Sequence, residues 1–242
     1  MATYKTQATI IKRKNFGEAD RLMTLYTERN GKVKAIAKGV RRSKAKMVGH
    51  MELFYLVDLQ MAEGKNLDIV TSAEIINEFA QIRNNQQLTN QAYFMSELVD
   101  GLTHENEPHQ EVFDLLISSL MHLNQKKDAS IISFFVFKLL AFLGHEPQLF
   151  QCVKCHSKLS ENNYFSNHLG GVLCEDCYKA DLGSFRITVL AIKSLRLFSQ
   201  NEIAILDKLK IDDKIKKEVG QLVINFAQYI LEKPIKSLRF LK

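Results

Sequence analysis

The four cysteines of the chain form two pairs with the spacing of a metal site. Cys152 and Cys155 make one Cys-x-x-Cys pair, Cys174 and Cys177 make the other, and 18 residues separate the pairs. Two residues between thiolates let one tight turn present both sulfurs to one ion, and two such turns complete a tetrahedral coordination. Four thiolates leave no coordination position for a substrate. The spacing therefore predicts one structural Zn²⁺ ion held by these four cysteines.

A second group of chemically active residues is a cluster of cations. Seven Lys and Arg residues fall within the fifteen residues 32–46, where they alternate with apolar residues. Like charges at this density repel one another unless an anion lies nearby, so the cluster favours a surface for a polyanion. A solvated basic loop that only aids solubility is the alternative. The candidate contacts to a nucleic-acid backbone are Lys32, Lys34, Lys38, Arg41, Arg42, Lys44 and Lys46, with Arg13, Lys14 and Arg21 as further candidates.

The overall charge of the chain hides the asymmetry that this cluster creates. The 242 residues carry a net charge of +6, but residues 1–50 hold 13 Lys or Arg against 3 Asp or Glu. A hydrophobic content of 46% excludes a mainly disordered chain. No apolar run reaches the length of a membrane span, and the first residues lack the apolar core of a secretion signal. We therefore expect a cytoplasmic protein, associated with the nucleoid if its polyanion is DNA.

No arrangement of residues predicts catalysis. The sequence contains no P-loop, no Gly-x-Gly-x-x-Gly, no Gly-x-Ser-x-Gly and no His-Glu-x-x-His. The letters of His50-Met51-Glu52 match half of a zinc-deaminase signature, but no proline precedes either cysteine pair, and four sulfurs already fill the metal. The sequence therefore predicts a binding protein and not an enzyme.

The first 80 residues have the pattern of a small β-barrel. Apolar runs lie at 6–16, 21–27, 32–38, 52–62 and 67–73, and Asn30-Gly31 is a strong hairpin signal. Five short strands fit an antiparallel barrel of the OB type, although strand count alone does not select it. Tyr4, Phe16 and Tyr26 are aromatic residues that could stack on bases, but core packing is the expected role of each.

From about residue 75 the apolar period changes from two to 3.6, which indicates helices at 90–102, 108–123, 130–143, 188–198 and 211–231. The cysteine pairs interrupt this helical region. The predicted class is therefore α+β, with an OB-type barrel at 1–80, a helical domain at 81–150 and 179–242, and an inserted zinc module at 151–178.

Three segments, in matching order, resemble the RecO family of bacterial recombination mediators. They are GEADRLMTLYTERNGKVKAIAKGVRR at 17–42, FKLLAFLGHEP at 137–147, which leads into the first cysteine pair, and KSLRFL at 236–241. The similarity spans essentially the whole chain. It implies an OB-fold, a helical domain with an inserted zinc module and no catalytic chemistry.

The resemblance also implies partners that neither composition nor spacing indicates. They are single- and double-stranded DNA, RecR, and the acidic C-terminal tail of single-strand-binding protein. The implied activity is annealing of complementary strands and, with RecR, loading of recombinase onto DNA coated by single-strand-binding protein. Cations available for the tail's carboxylates are Lys193, Arg196, Lys214, Lys216 and Lys217. A competing hypothesis is a zinc-ribbon transcriptional regulator that reads a specific base sequence.

Overall fold

The computed structural model describes residues 2–42, 47, 49–126, 128 and 130–241. The fold is mixed α+β, as predicted. The chain forms two compact units, Met1–Lys127 with Lys236–Lys242, and Asp128–Ile235. The division into three parts at residues 80, 150 and 178 stays a prediction. Among the described residues, no helix combines the length and the apolar character that crossing a bilayer requires.

Five strands of the first unit close into a barrel in the order β1-β2-β3-β5-β4. The strands are β1 (Thr3–Phe16), β2 (Asp20–Thr27), β3 (Gly31–Ala37), β4 (Leu56–Ala62) and β5 (Asp68–Asn77). The first half of β1 pairs with β4 and its second half pairs with β2, and β3 runs parallel to β5. This closed five-stranded barrel confirms the predicted OB-fold.

A bulge in β1 decides which of its residues face the core. The register with β2 shifts between Ile10 and Lys12, so one residue has no partner across the pair. Ile10 lies opposite Leu25 and Arg13 lies opposite Met23, and both partners belong to the barrel core. Directly paired residues share a face of the sheet. The bulge therefore turns Lys12, Lys14 and Phe16 to the outer face, where strict alternation from Ile10 would place them inside.

Three strand boundaries differ by three or more residues from those predicted from the sequence, and the first is the start of β1 at Thr3 instead of residue 6. The predicted strand at 52–62 begins only at Leu56, because Phe54 has a left-handed backbone (φ 70°) and its N–H donates to the Ile10 carbonyl oxygen (2.9 Å). The fifth strand continues to Asn77, past the point where the helical period was expected to begin.

The described residues of the first unit also form three α-helices, α1 (Ala80–Asn84), α2 (Gln86–Leu102) and α3 (Gln110–Gln125), and a short 3₁₀ helix at Lys236–Phe240. The side chain of Asn85 accepts hydrogen bonds from the N–H groups of Gln87 and Leu88 at the start of α2. Helix α2 packs against β1, and its last turn brings Asp100 beside cations of the barrel. The C-terminal end of α2 therefore belongs to the surroundings of the candidate site.

The second unit is built on a helix that is apolar on nearly every side, as predicted. Helix α4 (Ser130–Phe142) buries ten of its 13 residues and packs against the two later helices. This unit also contains a three-stranded sheet in the order β7-β6-β8, and Cys174 is the last residue of its strand β7. The other described elements of this unit are β6 (Asn163–Ser166), β7 (Gly171–Cys174), β8 (Phe185–Ile187), α5 (Val189–Gln200), α6 (Asp213–Leu231) and two short 3₁₀ helices at Tyr178–Ala180 and Ile203–Asp207.

Gly31, in the β2–β3 hairpin, is the position where the barrel depends most directly on glycine. Its φ is +63°, and a Cβ there would lie 1.9 Å from the carbonyl oxygen of Glu107. Gly17 has a similar φ of +55° but nothing within 4 Å of its Cβ position. We expect Gly31→Ala to lower the free energy of unfolding by about 3 kcal/mol, from backbone strain plus the clash. Gly17→Ala carries only the backbone strain, about 1 kcal/mol. Urea denaturation of both variants tests this, and equal losses would contradict it.

Candidate metal centre and nucleic-acid interface

The four cysteine sulfurs meet at one point of the second unit. The Sγ atoms of Cys152, Cys155, Cys174 and Cys177 all lie within 4.8 Å of one another. The Cys155 and Cys174 sulfurs are 3.7 Å apart. Tetrahedral coordination with zinc–sulfur bonds of about 2.3 Å places sulfurs about 3.8 Å apart. The four cysteines are therefore positioned to bind a metal ion.

Backbone hydrogen bonds shape the two cysteine turns. The His156 N–H donates to the Cys152 carbonyl oxygen (2.9 Å), and His156 adopts the left-handed backbone (φ 59°) that ends this turn. In the second pair, the Cys177 N–H donates to the Cys174 carbonyl oxygen (3.1 Å). Backbone hydrogen bonds alone therefore bring the two sulfurs of each pair together, as the Cys-x-x-Cys spacing predicts.

The close spacing of the four sulfur atoms favours the binding of a cation among them. Hydrogen bonds from the hydroxyl and N–H of Ser157 lower the pKa of Cys155 to about 6, which favours the thiolate metal ligand. Hydrogen bonding to Cys155, followed by burial, raises the pKa of Cys177. Thiolates this close oppose one another's ionisation, and a bound cation removes that opposition. The donor set therefore fits a thiolate-binding metal.

Aromatic residues and histidines lie in the sequence near the cysteines. Tyr164 packs against the cluster of Cys152, Leu173 and Cys174. Phe165, the next residue of β6, points to the other face and contacts Phe226 edge-on (5.6 Å between ring centres). Neither His156 nor His168 belongs to the described group of metal-binding residues.

Lys32 is not available to an external anion, because its ammonium group has three partners inside the protein. The Nζ atom donates to the carbonyl oxygens of Asp100 and Thr103 (2.7 Å to Thr103) and lies 3.5 Å from the Asp100 carboxylate. The residue is only 7% exposed. A lysine cation has three N–H donors, so all are engaged at the C-terminal end of α2. The structure thus gives Lys32 a role within the protein and argues against a contact with DNA.

Three other predicted contacts are paired with carboxylates. Lys34 contacts Glu105, and this pairing raises the pKa of the lysine. Arg13 and Arg21 each donate to a different oxygen of Glu52, with 3.1 Å between Arg21 Nη1 and Oε1. Arg13, Arg21, Lys32 and Lys34 are thus all paired with groups of the protein itself.

Glu52 remains charged between the two arginines. Burial by itself raises the pKa of this carboxyl group, but the hydrogen bonds and charges of Arg13 and Arg21 outweigh burial and hold the pKa below its ordinary value. Glu52 also belongs to the His50-Met51-Glu52 sequence that matched half of a deaminase signature. Its observed partners are two arginines.

Four predicted contacts remain exposed without an acidic partner among the described residues: Lys14, Lys38, Arg41 and Arg42. Below, these four are the open cations. Arg41 is held at the β1–β2 turn, where its N–H donates to the Ala19 carbonyl oxygen (2.9 Å) and its guanidinium to that of Gly17 (3.2 Å). The Gly39 N–H donates to the Asp20 carboxylate (2.7 Å), which fixes the same loop. Lys44 and Lys46 lie outside the described residues.

One of the three candidate aromatic residues is exposed beside the open cations. Phe16 is 53% exposed and ends β1, two residues after Lys14 on the same outer face. Tyr26 is fully buried, as expected for core packing, and Tyr4 donates from its hydroxyl to the Asp68 carboxylate (2.5 Å). The outer surface near the β1–β2 turn therefore combines an accessible ring with positive charge.

Comparison with known proteins assigns the whole chain to one family. Residues 1–79 match the family model described as recombination protein O N terminal, and residues 89–239 match recombination protein O C terminal. The chain belongs to the RecO family. It is 36% identical over 240 residues to the DNA repair protein RecO of Dehalococcoides mccartyi (strain ATCC BAA-2266 / KCTC 15142 / 195), covering 98% of this chain and 94% of that protein.

Two further RecO proteins also match over 98% of this chain. The DNA repair protein RecO of Roseiflexus sp. (strain RS-1) is 35% identical over 98% of this chain and 84% of its own length. That of Acetivibrio thermocellus is 30% identical over 98% and 96%. These matches confirm the resemblance to RecO found in the sequence. They give no support to the alternative of a transcriptional regulator.

The sequence analysis did not identify the acidic residues that form ion pairs with some of the predicted DNA-contacting cations. Glu52, Asp100 and Glu105 lie 31 to 88 residues from partners such as Arg21 and Lys12. No local spacing rule relates residues so far apart, so the sequence offered no signal for these pairs.

Metal content tests the four-cysteine site. We expect the purified protein to contain one metal ion per chain, and Cys152→Ser or Cys177→Ser to lose it, because three thiolates no longer close the site. His168→Ala is the control and should retain the metal, because His168 lies outside the metal-binding group and outside both cysteine turns. Elemental analysis of the three variants and the parent protein measures this. Full metal content in either cysteine variant would contradict the assignment.

The pH dependence of stability tests the Glu52 interaction. Because its pKa is lower in the folded protein than in the unfolded chain, Glu52 stabilises the fold above its ordinary pKa of 4.5. That stabilisation is lost as the pH falls below 4.5 through the folded value. We expect Glu52→Gln to lower the free energy of unfolding by about 1 to 3 kcal/mol at pH 7 and to flatten its fall below pH 4.5. Urea denaturation between pH 3 and 7 measures this, and parallel profiles would count against the interaction.

Proposed function

We propose that this chain is a non-catalytic DNA repair protein that binds single- and double-stranded DNA by its phosphate backbone and anneals complementary strands. One observation carries the proposal: the open cations and the exposed Phe16 occupy the same end of the OB-fold in a chain of the RecO family. The outer face of strands 2 and 3 and the adjoining loops are the surfaces by which OB-folds hold oligonucleotides.

The proposed mechanism is electrostatic. Lys14, Lys38, Arg41 and Arg42 contact phosphates, and each contact releases counterions from the DNA. Phe16 stacks on a base without regard to its identity. Two strands bound at a cationic surface repel each other less, so they find their pairing register without ATP. Because phosphate carries no sequence information, the protein shows little preference between sequences.

We further propose that the metal is one Zn²⁺ ion and that its role is structural. Cys152, Cys155, Cys174 and Cys177 would hold it, and four thiolates suit zinc better than they suit magnesium or calcium. Bound there, the ion would link the two cysteine turns to each other. The chain's own residues complete the module, since Tyr164 stacks on Tyr178 with ring centres 4.5 Å apart.

The partners implied by the family resemblance, RecR and the tail of single-strand-binding protein, belong to the same proposal. Helix α5 exposes Leu190, Lys193 and Leu197, which combine apolar surface with a cation as an acidic peptide with an apolar end requires. Arg196 stacks beside this stripe on Phe150 (4.9 Å). Titration with a tail peptide tests the site, and absence of saturable binding would contradict it. We propose no contact residue for RecR among the described residues.

The salt dependence of DNA binding tests the role of the open cations. We expect Arg41→Ala/Arg42→Ala to reduce the slope of log affinity against log salt by about 1.4 on single-stranded DNA, or about 0.7 for each lost phosphate contact. The matched control is Lys12→Ala/Lys34→Ala, which removes the same charge from lysines paired with Asp100 and Glu105. Its slope should stay near that of the parent protein. Equal losses in the two double variants would show that pairing does not sort the cations.

A strand-annealing assay tests the activity itself. The protein should accelerate pairing of two complementary oligonucleotides without any nucleotide, and Arg41→Ala/Arg42→Ala should lose most of that acceleration. Non-complementary strands control for aggregation. An annealing rate equal to that of the free oligonucleotides, at protein concentrations that saturate the DNA, would refute the activity.

A further inference from the structure

Arg13, Arg21 and Glu52 form a compact ionic cluster at one end of the barrel. Each oxygen of the Glu52 carboxylate accepts from a different guanidinium group. The side chains of Arg13, Arg21 and Glu52 keep only 29%, 21% and 25% of their exposure, so the cluster is half-buried and solvent screens it less than a surface pair.

The two arginines of the cluster lie on a different face of the barrel from Lys14. Arg13 pairs with Met23 and Arg21 pairs with Ala37, and both partners are core residues of the barrel. The two arginines therefore point towards the end of the barrel interior, whereas Lys14 points outward. Glu52 reaches them from the segment before β4, where the fully buried Met51 anchors the chain.

The cluster retains a hydrogen-bonding capacity that Glu52 does not use. The Nε atom of Arg21 is buried and has no hydrogen-bond partner among the described residues. A buried donor without a partner is unfavourable. A phosphate group offers more acceptor oxygens than a carboxylate, and arginine binds both through the same planar fork. A phosphate group in the position of Glu52 would have further oxygens to accept from this N–H, which the Glu52 carboxylate leaves without a partner.

We propose that Arg13 and Arg21 form a phosphate-binding subsite, and that Glu52 occupies it as an internal competitor which DNA displaces. This inference rests on the proposed DNA binding and adds a mechanism that limits the affinity for DNA. Displacing Glu52 costs part of the energy gained from the phosphate, so the protein holds a strand less tightly than its full set of cations would. Weaker holding favours release of a strand once it has paired.

The test compares three single variants for binding to fluorescent oligothymidine over a series of salt concentrations. Glu52→Gln removes the competitor's charge and frees both arginines. Glu52→Asp keeps the charge but shortens the side chain, so that one carboxylate no longer reaches both guanidinium groups. Glu18→Gln is the control, because Glu18 is an exposed acid of the β1–β2 turn without a partner among the described residues. Thermal melting establishes that each variant is folded.

We expect Glu52→Gln to bind about 5- to 10-fold more tightly and to steepen the salt slope by up to about 1.4, as two new phosphate contacts require. Glu52→Asp should show a smaller gain at unchanged net charge, and it carries the test if Glu52→Gln does not fold. Glu18→Gln should change affinity less than about twofold with the parent slope. Adding Arg21→Ala to Glu52→Gln should cancel most of the gain.

The outcomes separate this inference from the proposed function. If the parent protein binds DNA with a steep salt dependence but the Glu52 variants bind no more tightly, Glu52 is not a competitor and the inference fails alone. If Glu18→Gln gains as much as Glu52→Gln, general repulsion explains the effect and the subsite is refuted. If the parent protein does not bind DNA, both proposals fail.

Discussion

The pairing of acids with cations on the barrel is the interaction on which the account depends. Residues 1–50 are strongly basic, but Asp100 and Glu105 pair with lysines of the barrel, and Glu52 neutralises Arg13 and Arg21 as long as no DNA is bound. Among the described residues, four of the predicted contacts keep no acidic partner, and these open cations share the surface near the β1–β2 turn. Net charge therefore overstates the binding surface, and pairing defines its position.

The fold makes this sorting possible because it brings distant segments to the barrel. Helix α2 packs on β1 and ends where Asp100 contacts Lys12 (3.0 Å) and lies close to Lys32. Lys32 in turn donates to the last carbonyl groups of that helix, which fixes the helix end to β3. The same contacts hold the helix in place and bury Lys32, while Lys12 stays exposed but paired with Asp100.

Features set by local spacing could be predicted from the sequence. The two cysteine turns, the Asn30-Gly31 hairpin and the apolar helix α4 each depend on residues close together in the chain. The effect of the β1 bulge could not be predicted, since nothing in the sequence around Ile11 specifies the missing partner, yet the bulge decides that Phe16 faces outward and Arg13 inward. The sequence also could not predict which cations have acidic partners, because partners such as Lys12 and Asp100 are 88 residues apart in the chain. Charge density is a property of the sequence, whereas charge availability is a property of the fold.

Acetylation footprinting of lysines, with and without saturating single-stranded DNA, tests the sorting of cations most directly. The account predicts that DNA protects Lys14 and Lys38 from the reagent. Lys34, paired with Glu105, and Lys5, exposed near the opposite end of β1, should react equally in both states. Unchanged reactivity of Lys14 and Lys38 at saturation, or equal protection of Lys34, would contradict the account.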